Sequence, residues 1–182
     1  MRISSLLLCT LLVADAGHGF LIQTFESPSG RKVQQTWSQP NRIPFQLHAA
    51  GSDDLSPAQT HQLMRESFQV WDDVATARVR FIDQGETATR IPAQNDGRNL
   101  VYFDESGNHL RAPRGSGVIA VTRINSHSFT GAISDADIIF NGRDFRFASG
   151  SEGWRDNGNL INLKDVAIHE IGHLLGLEHT PL

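Results

Sequence analysis

The chain contains little sulfur and little sustained apolar sequence. Its one cysteine, Cys9, lies in an apolar run at the N-terminus, and its two methionines are Met1 and Met64. Once that run is removed, the chain has no cysteine for a disulfide, a thiol nucleophile or a thiolate ligand. No later stretch is long and apolar enough to cross a bilayer as a helix, so we expect no membrane span.

Positive charge is not in excess either. The 182 residues include 16 Lys and Arg against 20 Asp and Glu, which gives a formal net charge of −4. Because nucleic acids and anionic lipid surfaces are bound by basic faces, we expect no nucleic-acid partner. Hydrophobic residues make up 39% of the chain. That fraction and the length favour one folded domain, which we expect to be a monomer.

The N-terminus predicts an export signal over residues 1–16. Arg2 precedes the apolar run of residues 3–13, and Ala14, Asp15 and Ala16 give the small-x-small pattern of a cleavage site. A buried N-terminal helix is the alternative interpretation. The signal implies a secreted, extracellular protein, or a periplasmic one if the source is bacterial.

The remaining sequence predicts a single α+β domain. We expect residues 17–36 to form a loose lead-in and residues 37–182 to form the domain. Residues 142–159 are rich in glycine and predict an extended loop. Apolar residues that alternate with polar ones, or short apolar runs bounded by turn residues, predict five strands, at residues 37–48, 78–82, 99–104, 117–125 and 133–141.

Two helices are expected beside these strands. Ser56 is a good N-cap residue and Pro57 suits the first helical position, so an amphipathic helix is predicted over residues 57–75. The second helix is predicted over residues 162–175, with Asn162 as its N-cap.

The second helix carries a group of histidines. His169 and His173 are four residues apart, so on a helix both imidazoles lie on one face. Gly176 can adopt the left-handed conformation that ends a helix, after which His179 can return toward the pair. Three imidazole ligands leave a fourth position open, as in catalytic zinc sites. We therefore expect one zinc ion on His169, His173 and His179.

Glu170 follows the first of these ligands. A carboxylate at that position can take a proton from a water held at the metal, so Glu170 is predicted to be the general base of peptide-bond hydrolysis. The alternative is a helix with two core histidines and a solvated glutamate. A bare His-Glu-x-x-His occurs by chance, whereas the extended form with glycine and a third histidine is much more specific.

With this motif the chain resembles the metzincin zinc metallopeptidases, and among them the matrixins and their shorter bacterial relatives. Residues 37–48 are similar to the family's first strand, residues 57–75 to its first helix, and residues 117–125 to the edge strand that pairs with substrate. The resemblance implies a metzincin-type upper subdomain, with a twisted five-stranded mixed sheet and two long helices. It also implies an endopeptidase for protein or peptide substrates, with the peptide along residues 118–122 and calcium in loops.

The chain departs from the animal matrixins in its metal ligands and its cysteine content. Those enzymes hold latency through a propeptide cysteine, which the mature chain here lacks. They also carry a structural zinc, whose ligands include histidines on the edge strand and its neighbour. Val121 and the Asp135 and Asp137 pair occupy the similar region here, so we expect no second zinc. His109 and His127 are expected to be loop histidines.

The C-terminal end also differs from the family pattern. Metzincins have a methionine turn after the third histidine, and this sequence ends at Leu182 without one. The domain is therefore predicted to be C-terminally incomplete, either as a fragment or as an aberrant member. The leading hypothesis is a zinc-dependent endopeptidase of extracellular proteins. The alternative is a secreted, non-catalytic zinc-binding protein or an inactive fragment.

Overall fold

The computed structural model describes the backbone of residues 2–6 and, in full, residues 21–88, 91–93, 95–150 and 160–179. The strands are β1 (Arg2–Leu6), β2 (Leu21–Ile22), β3 (Thr24–Glu26), β4 (Lys32–Gln34), β5 (Thr36–Trp37), β6 (Ile43–His48), β7 (Phe81–Thr87), β8 (Leu100–Phe103), β9 (Ala120–His127), β10 (Ala132–Phe140), β11 (Arg146–Ala148), β12 (Leu160–Asn162) and β13 (Leu177–Glu178). The helices are α1 (Pro57–Asp72) and α2 (Leu163–Leu174). The predicted cleavage site at residues 14–16 lies outside the described residues.

A mixed sheet forms the body of the fold. Its order is β1-β9-β10-β8-β6-β7, with β5 also paired to β10. Strands β7, β6, β8 and β10 are parallel, whereas β9 is antiparallel to β10 and β1 is antiparallel to β9. The five predicted strands correspond to β6, β7, β8, β9 and β10, so the expected five-stranded mixed sheet is confirmed. Strands β1 and β5 extend it to seven.

Helix α1 begins where the sequence predicted. The Ser56 hydroxyl accepts the Gln59 N–H, and the Gln59 side chain accepts the Ser56 N–H, which forms a reciprocal cap before Pro57. The apolar face of the helix packs on the sheet through stacked rings of Phe68 and Phe45, whose centroids are 3.9 Å apart. Aromatic burial of this kind anchors the core between α1 and the sheet.

Helix α2 packs directly against α1. Gly172 makes this approach possible, because a Cβ there would lie 3.1 Å from the Trp71 ring. The Trp71 indole N–H donates to the Ile168 carbonyl, at 2.9 Å. At the C-terminal end of α2, the Trp37 indole N–H donates to the Leu174 carbonyl, at 2.8 Å. Two tryptophans therefore fix α2 at both ends of the segment that carries the histidines.

The segment that the sequence predicted as a loose lead-in is paired from residue 21 onward. Strands β3 and β4 form a hairpin, and β2 pairs antiparallel with β13, with Ile22 opposite Leu177 and Leu21 opposite Glu178. The predicted loop at residues 142–159 also contains a strand, since β11 pairs with β12. Within the described part of the chain, no helix is both long and apolar enough to cross a membrane.

A buried carboxyl group lies in the middle of the sheet. Asp137 is 1% exposed, and its Oδ1 accepts the Leu100 N–H at 2.9 Å. Its Oδ2 has no hydrogen-bond partner among the described residues. Burial, despite the neighbouring charge of Arg123, raises the pKa of Asp137 to about 8. The folded state therefore favours the protonated carboxyl.

Replacement of Asp137 by asparagine should change how stability depends on pH. Between about pH 4 and pH 8 the folded state holds the proton more tightly than the unfolded state, so stability falls as pH rises, by up to about 1.4 kcal/mol per pH unit. Asp137→Asn removes this titration and should flatten the dependence. Urea unfolding from pH 5 to pH 8 in metal-free buffer measures it, with Asp53→Asn as an exposed control. The same slope in Asp137→Asn and in the unmodified chain would contradict the assignment.

Candidate metal centre

The three predicted histidines converge on one point. The Nε2 atoms of His169 and His179 are 2.9 Å apart, and the Nε2 atom of His173 is 3.0 Å from each. A nearly equilateral triangle of this size allows one ion to lie about 2.0–2.1 Å from all three nitrogens, slightly above their plane. Among the described residues this is the one group of three or more His, Cys, Asp or Glu side chains close enough to hold a metal ion.

The protonation of the imidazoles suits a metal ligand. His173 Nδ1 lies 2.8 Å from the Leu177 carbonyl, which can only accept, so Nδ1 carries the proton and Nε2 directs a lone pair at the centre of the triangle. Burial and the neighbouring imidazoles lower the pKa of His169 to about 4. Burial also lowers the pKa of His173. These rings are therefore neutral at physiological pH, as metal ligation requires.

The third histidine reaches the site because α2 ends abruptly. Leu175 is the C-cap, and Gly176 follows with φ +89°. The Gly176 N–H donates to the His173 carbonyl, at 2.8 Å. This left-handed residue turns the chain into β13, and His179 comes directly after that strand. The predicted role of Gly176 in ending the helix is thus what the structure shows.

Glu170 is placed on the side of α2 that faces the sheet. It is 1% exposed, and its Oε2 accepts the Thr122 hydroxyl at 2.6 Å. Thr122 belongs to β9, the strand predicted to bind the substrate backbone. The carboxylate is therefore held by a charge-assisted hydrogen bond from the neighbouring strand. Sequence reasoning missed Thr122, because this contact depends on how α2 crosses the sheet.

Comparison with known proteins identifies the family of this chain. A family model for matrixins matches residues 36–182. The chain belongs to the matrixin family. It is 30% identical to macrophage metalloelastase of Rattus norvegicus over 129 residues, which cover 70% of this chain and 23% of that protein. It is 32% identical to karilysin of Tannerella forsythia over 133 residues, or 71% of this chain and 24% of that one.

A third relative covers more of this matrixin. Hatching enzyme of Paracentrotus lividus is 30% identical over 148 residues, which is 80% of this chain and 21% of that protein. The chain thus spans about a quarter of the length of the relatives that it matches.

Val121, one of the strand positions where a second zinc was considered, is part of an apolar cluster in this matrixin. Val121 of β9 lies opposite Ile139 of β10, and both are fully buried in a small apolar cluster with Leu110. His109 lies in the loop before that cluster, and His127 ends β9. Neither His109 nor His127 belongs to the group formed by His169, His173 and His179.

Replacement of Gly176 by alanine should disrupt this turn. A Cβ would lie 2.3 Å from the Gln35 carbonyl oxygen, and the positive φ costs an alanine about 1–2 kcal/mol more. We expect Gly176→Ala to weaken zinc binding at least about tenfold, because His179 is displaced. Zinc titration against a chromophoric chelator measures the change.

Gly150→Ala is the matched control for this experiment. Gly150 has no atom within 4 Å of its Cβ position and no positive φ, so its replacement should leave zinc affinity unchanged. Equal zinc affinity in Gly176→Ala and Gly150→Ala would show that the turn does not deliver a ligand.

Proposed function

We propose that this matrixin is a secreted zinc metalloendopeptidase that hydrolyses peptide bonds of extracellular proteins. The observation that carries the proposal is the triangle of His169, His173 and His179 Nε2 atoms on a helix in which the buried Glu170 directly follows the first of these histidines. A structural metal site needs no such carboxylate, whereas hydrolysis needs a base next to the metal. The relatives' names, which include an elastase and a hatching enzyme, support a protein substrate.

The residues of the site have different roles in the proposed hydrolysis. Zinc, when bound by the three imidazoles, supplies a Lewis acid that polarises a carbonyl and lowers the pKa of a water molecule. Glu170 accepts the proton of the attacking water and returns it to the departing amine. Thr122 holds the Glu170 carboxylate in place through the 2.6 Å hydrogen bond. With the three Nε2 lone pairs bound to the metal, Glu170 is the group that can accept the proton.

The side of β9 away from β10 offers a place for the peptide. Strand β9 pairs with β10 on one side, and on its other side the backbone of Arg2–Leu6 pairs antiparallel with residues 123–127. That pairing supports the idea that this side of β9 can accept an extended chain. A substrate along residues 118–122 would lie next to Thr122 and thus beside Glu170. Calcium in loops, the signal peptide at residues 1–16 and a monomeric state remain predictions.

Replacement of Glu170 by glutamine tests the enzymatic role. Without a base, we expect the rate of zinc-dependent peptide cleavage to fall by a factor of about 10² to 10⁴, while one zinc ion still binds. Cleavage of a quenched fluorescent peptide library, with zinc content measured on the same samples, provides both readouts. Glu66→Gln is the control, since Glu66 forms a surface pair with Lys164.

The outcomes separate the candidate functions. Cleavage at the same rate in Glu170→Gln and in the unmodified chain would overturn the proposed mechanism. Zinc binding with no cleavage in either form would favour the non-catalytic zinc-binding protein.

Replacement of Thr122 by valine tests how the base is held. Valine has the shape of threonine but cannot donate a hydrogen bond to Glu170, so we expect kcat to fall about tenfold with little change in KM. Thr122→Ser keeps the hydroxyl and should restore most of the loss. Steady-state kinetics of the three forms gives the comparison. A value of kcat for Thr122→Val equal to that of the unmodified chain would show that the hydrogen bond does not contribute.

A further inference from the structure

The segment of residues 21–37, named here the N-terminal clamp, contacts both the turn that leads to His179 and the end of α2. Its first strand, β2, pairs with β13, which lies between Gly176 and His179. In the described part of the chain, β2 is the one strand paired to β13. The residues that lead to the third ligand therefore take their main-chain partners from the clamp.

Main-chain contacts connect the clamp to the turn itself. The Gln23 N–H donates to the Gly176 carbonyl at 2.7 Å, and the Gln35 N–H donates to the Gln23 carbonyl at 2.8 Å. The Gln35 carbonyl lies so close to Gly176 that a Cβ there would be 2.3 Å from its oxygen. Gln23 and Gln35 are 5% and 1% exposed. The turn is thus enclosed by two buried residues of the clamp.

The clamp is also fixed at its far end, so that it can hold the turn. The Gln35 side-chain N–H donates to the Ser126 hydroxyl of β9 at 2.8 Å. The Thr36 N–H donates to the Gly131 carbonyl, in the turn between β9 and β10, at 3.1 Å. The Trp37 indole N–H donates to the Leu174 carbonyl of α2. These three contacts join the clamp to the sheet and to the end of the helix that carries His169 and His173.

We infer that the N-terminal clamp positions His179 as the third ligand and is therefore part of the metal centre. This inference rests on the proposed zinc site. Two residues, Leu177 and Glu178, connect Gly176 with His179, so the path of their backbone determines where the His179 imidazole lies. The clamp restrains those residues as a strand and holds the Gly176 carbonyl. Outer contacts of this type typically change metal affinity 10- to 100-fold.

The pair Gln23→Pro and Gln23→Ala tests the clamp. Both lose the side chain, but only proline loses the N–H that donates to Gly176. We expect Gln23→Pro to weaken zinc binding at least about tenfold, and Gln23→Ala to stay within about threefold of the unmodified chain. Zinc affinity is measured by chelator competition on the 182-residue chain. The visible spectrum of the cobalt-substituted protein reports whether the third imidazole is lost.

Each outcome decides the inference. Weaker zinc binding together with an altered cobalt spectrum in Gln23→Pro, in a chain with unchanged far-UV circular dichroism, supports it. Affinity and cobalt spectrum equal to those of Gln23→Ala overturn it. If Gln23→Pro does not fold, Gln35→Ala replaces it, since it removes the anchor on Ser126, with exposed Gln34→Ala as its control. Equal zinc affinity in that pair also overturns the inference.

Failure of the clamp and failure of the metal site remain distinguishable. If the unmodified chain binds no zinc, or binds it equally after His169→Ala, the proposed site is wrong and the inference falls with it. If the unmodified chain binds zinc through His169 but Gln23→Pro binds it as tightly, only the clamp is wrong.

Discussion

The metal centre depends on the left-handed turn at Gly176. This residue ends α2 after His173, takes a φ of +89° and lets His179 return to the other two imidazoles. Its missing side chain leaves room for the Gln35 carbonyl, so the turn is enclosed by the N-terminal clamp. Gly176 therefore meets two requirements: it adopts the positive φ of the turn, and it has no side chain to clash with the Gln35 carbonyl. Without it, the third ligand and the N-terminal segment could not occupy their observed places.

The sheet provides the second restraint on the site. Strand β9 presents Thr122 to Glu170 on α2, and it presents Ser126 to Gln35 of the clamp. One strand thus holds the carboxylate, anchors the segment that supports His179, and is the strand expected to bind a peptide. Two tryptophans, Trp71 and Trp37, fix α2 against these elements through its carbonyls. Contacts from β9, the clamp and the two tryptophans therefore position the histidines and Glu170, in addition to the sequence motif itself.

The sequence predicted the parts that local pattern determines. The cap at Ser56, the start of α2 after Asn162 and the convergence of three histidines follow from neighbouring residues, and all are found. Helix α1 ends earlier than predicted, at Asp72, where the Asp72 carboxylate accepts the Phe81 N–H. The clamp was missed because its partners lie far along the chain, as when Ile22 pairs with Leu177. Strands this short do not show the alternation of apolar and polar residues from which a strand is predicted.

Zinc K-edge X-ray absorption of the zinc-loaded chain tests the central claim most directly, because it counts the imidazole ligands. The account predicts one zinc ion per chain, with three imidazole nitrogens about 2.0–2.1 Å away and one oxygen ligand, from water, in the remaining position. Three imidazoles can be assigned to His169, His173 and His179, since they form the one such group among the described residues. A spectrum with two imidazoles or fewer would contradict the account, because His179 would then not complete the site.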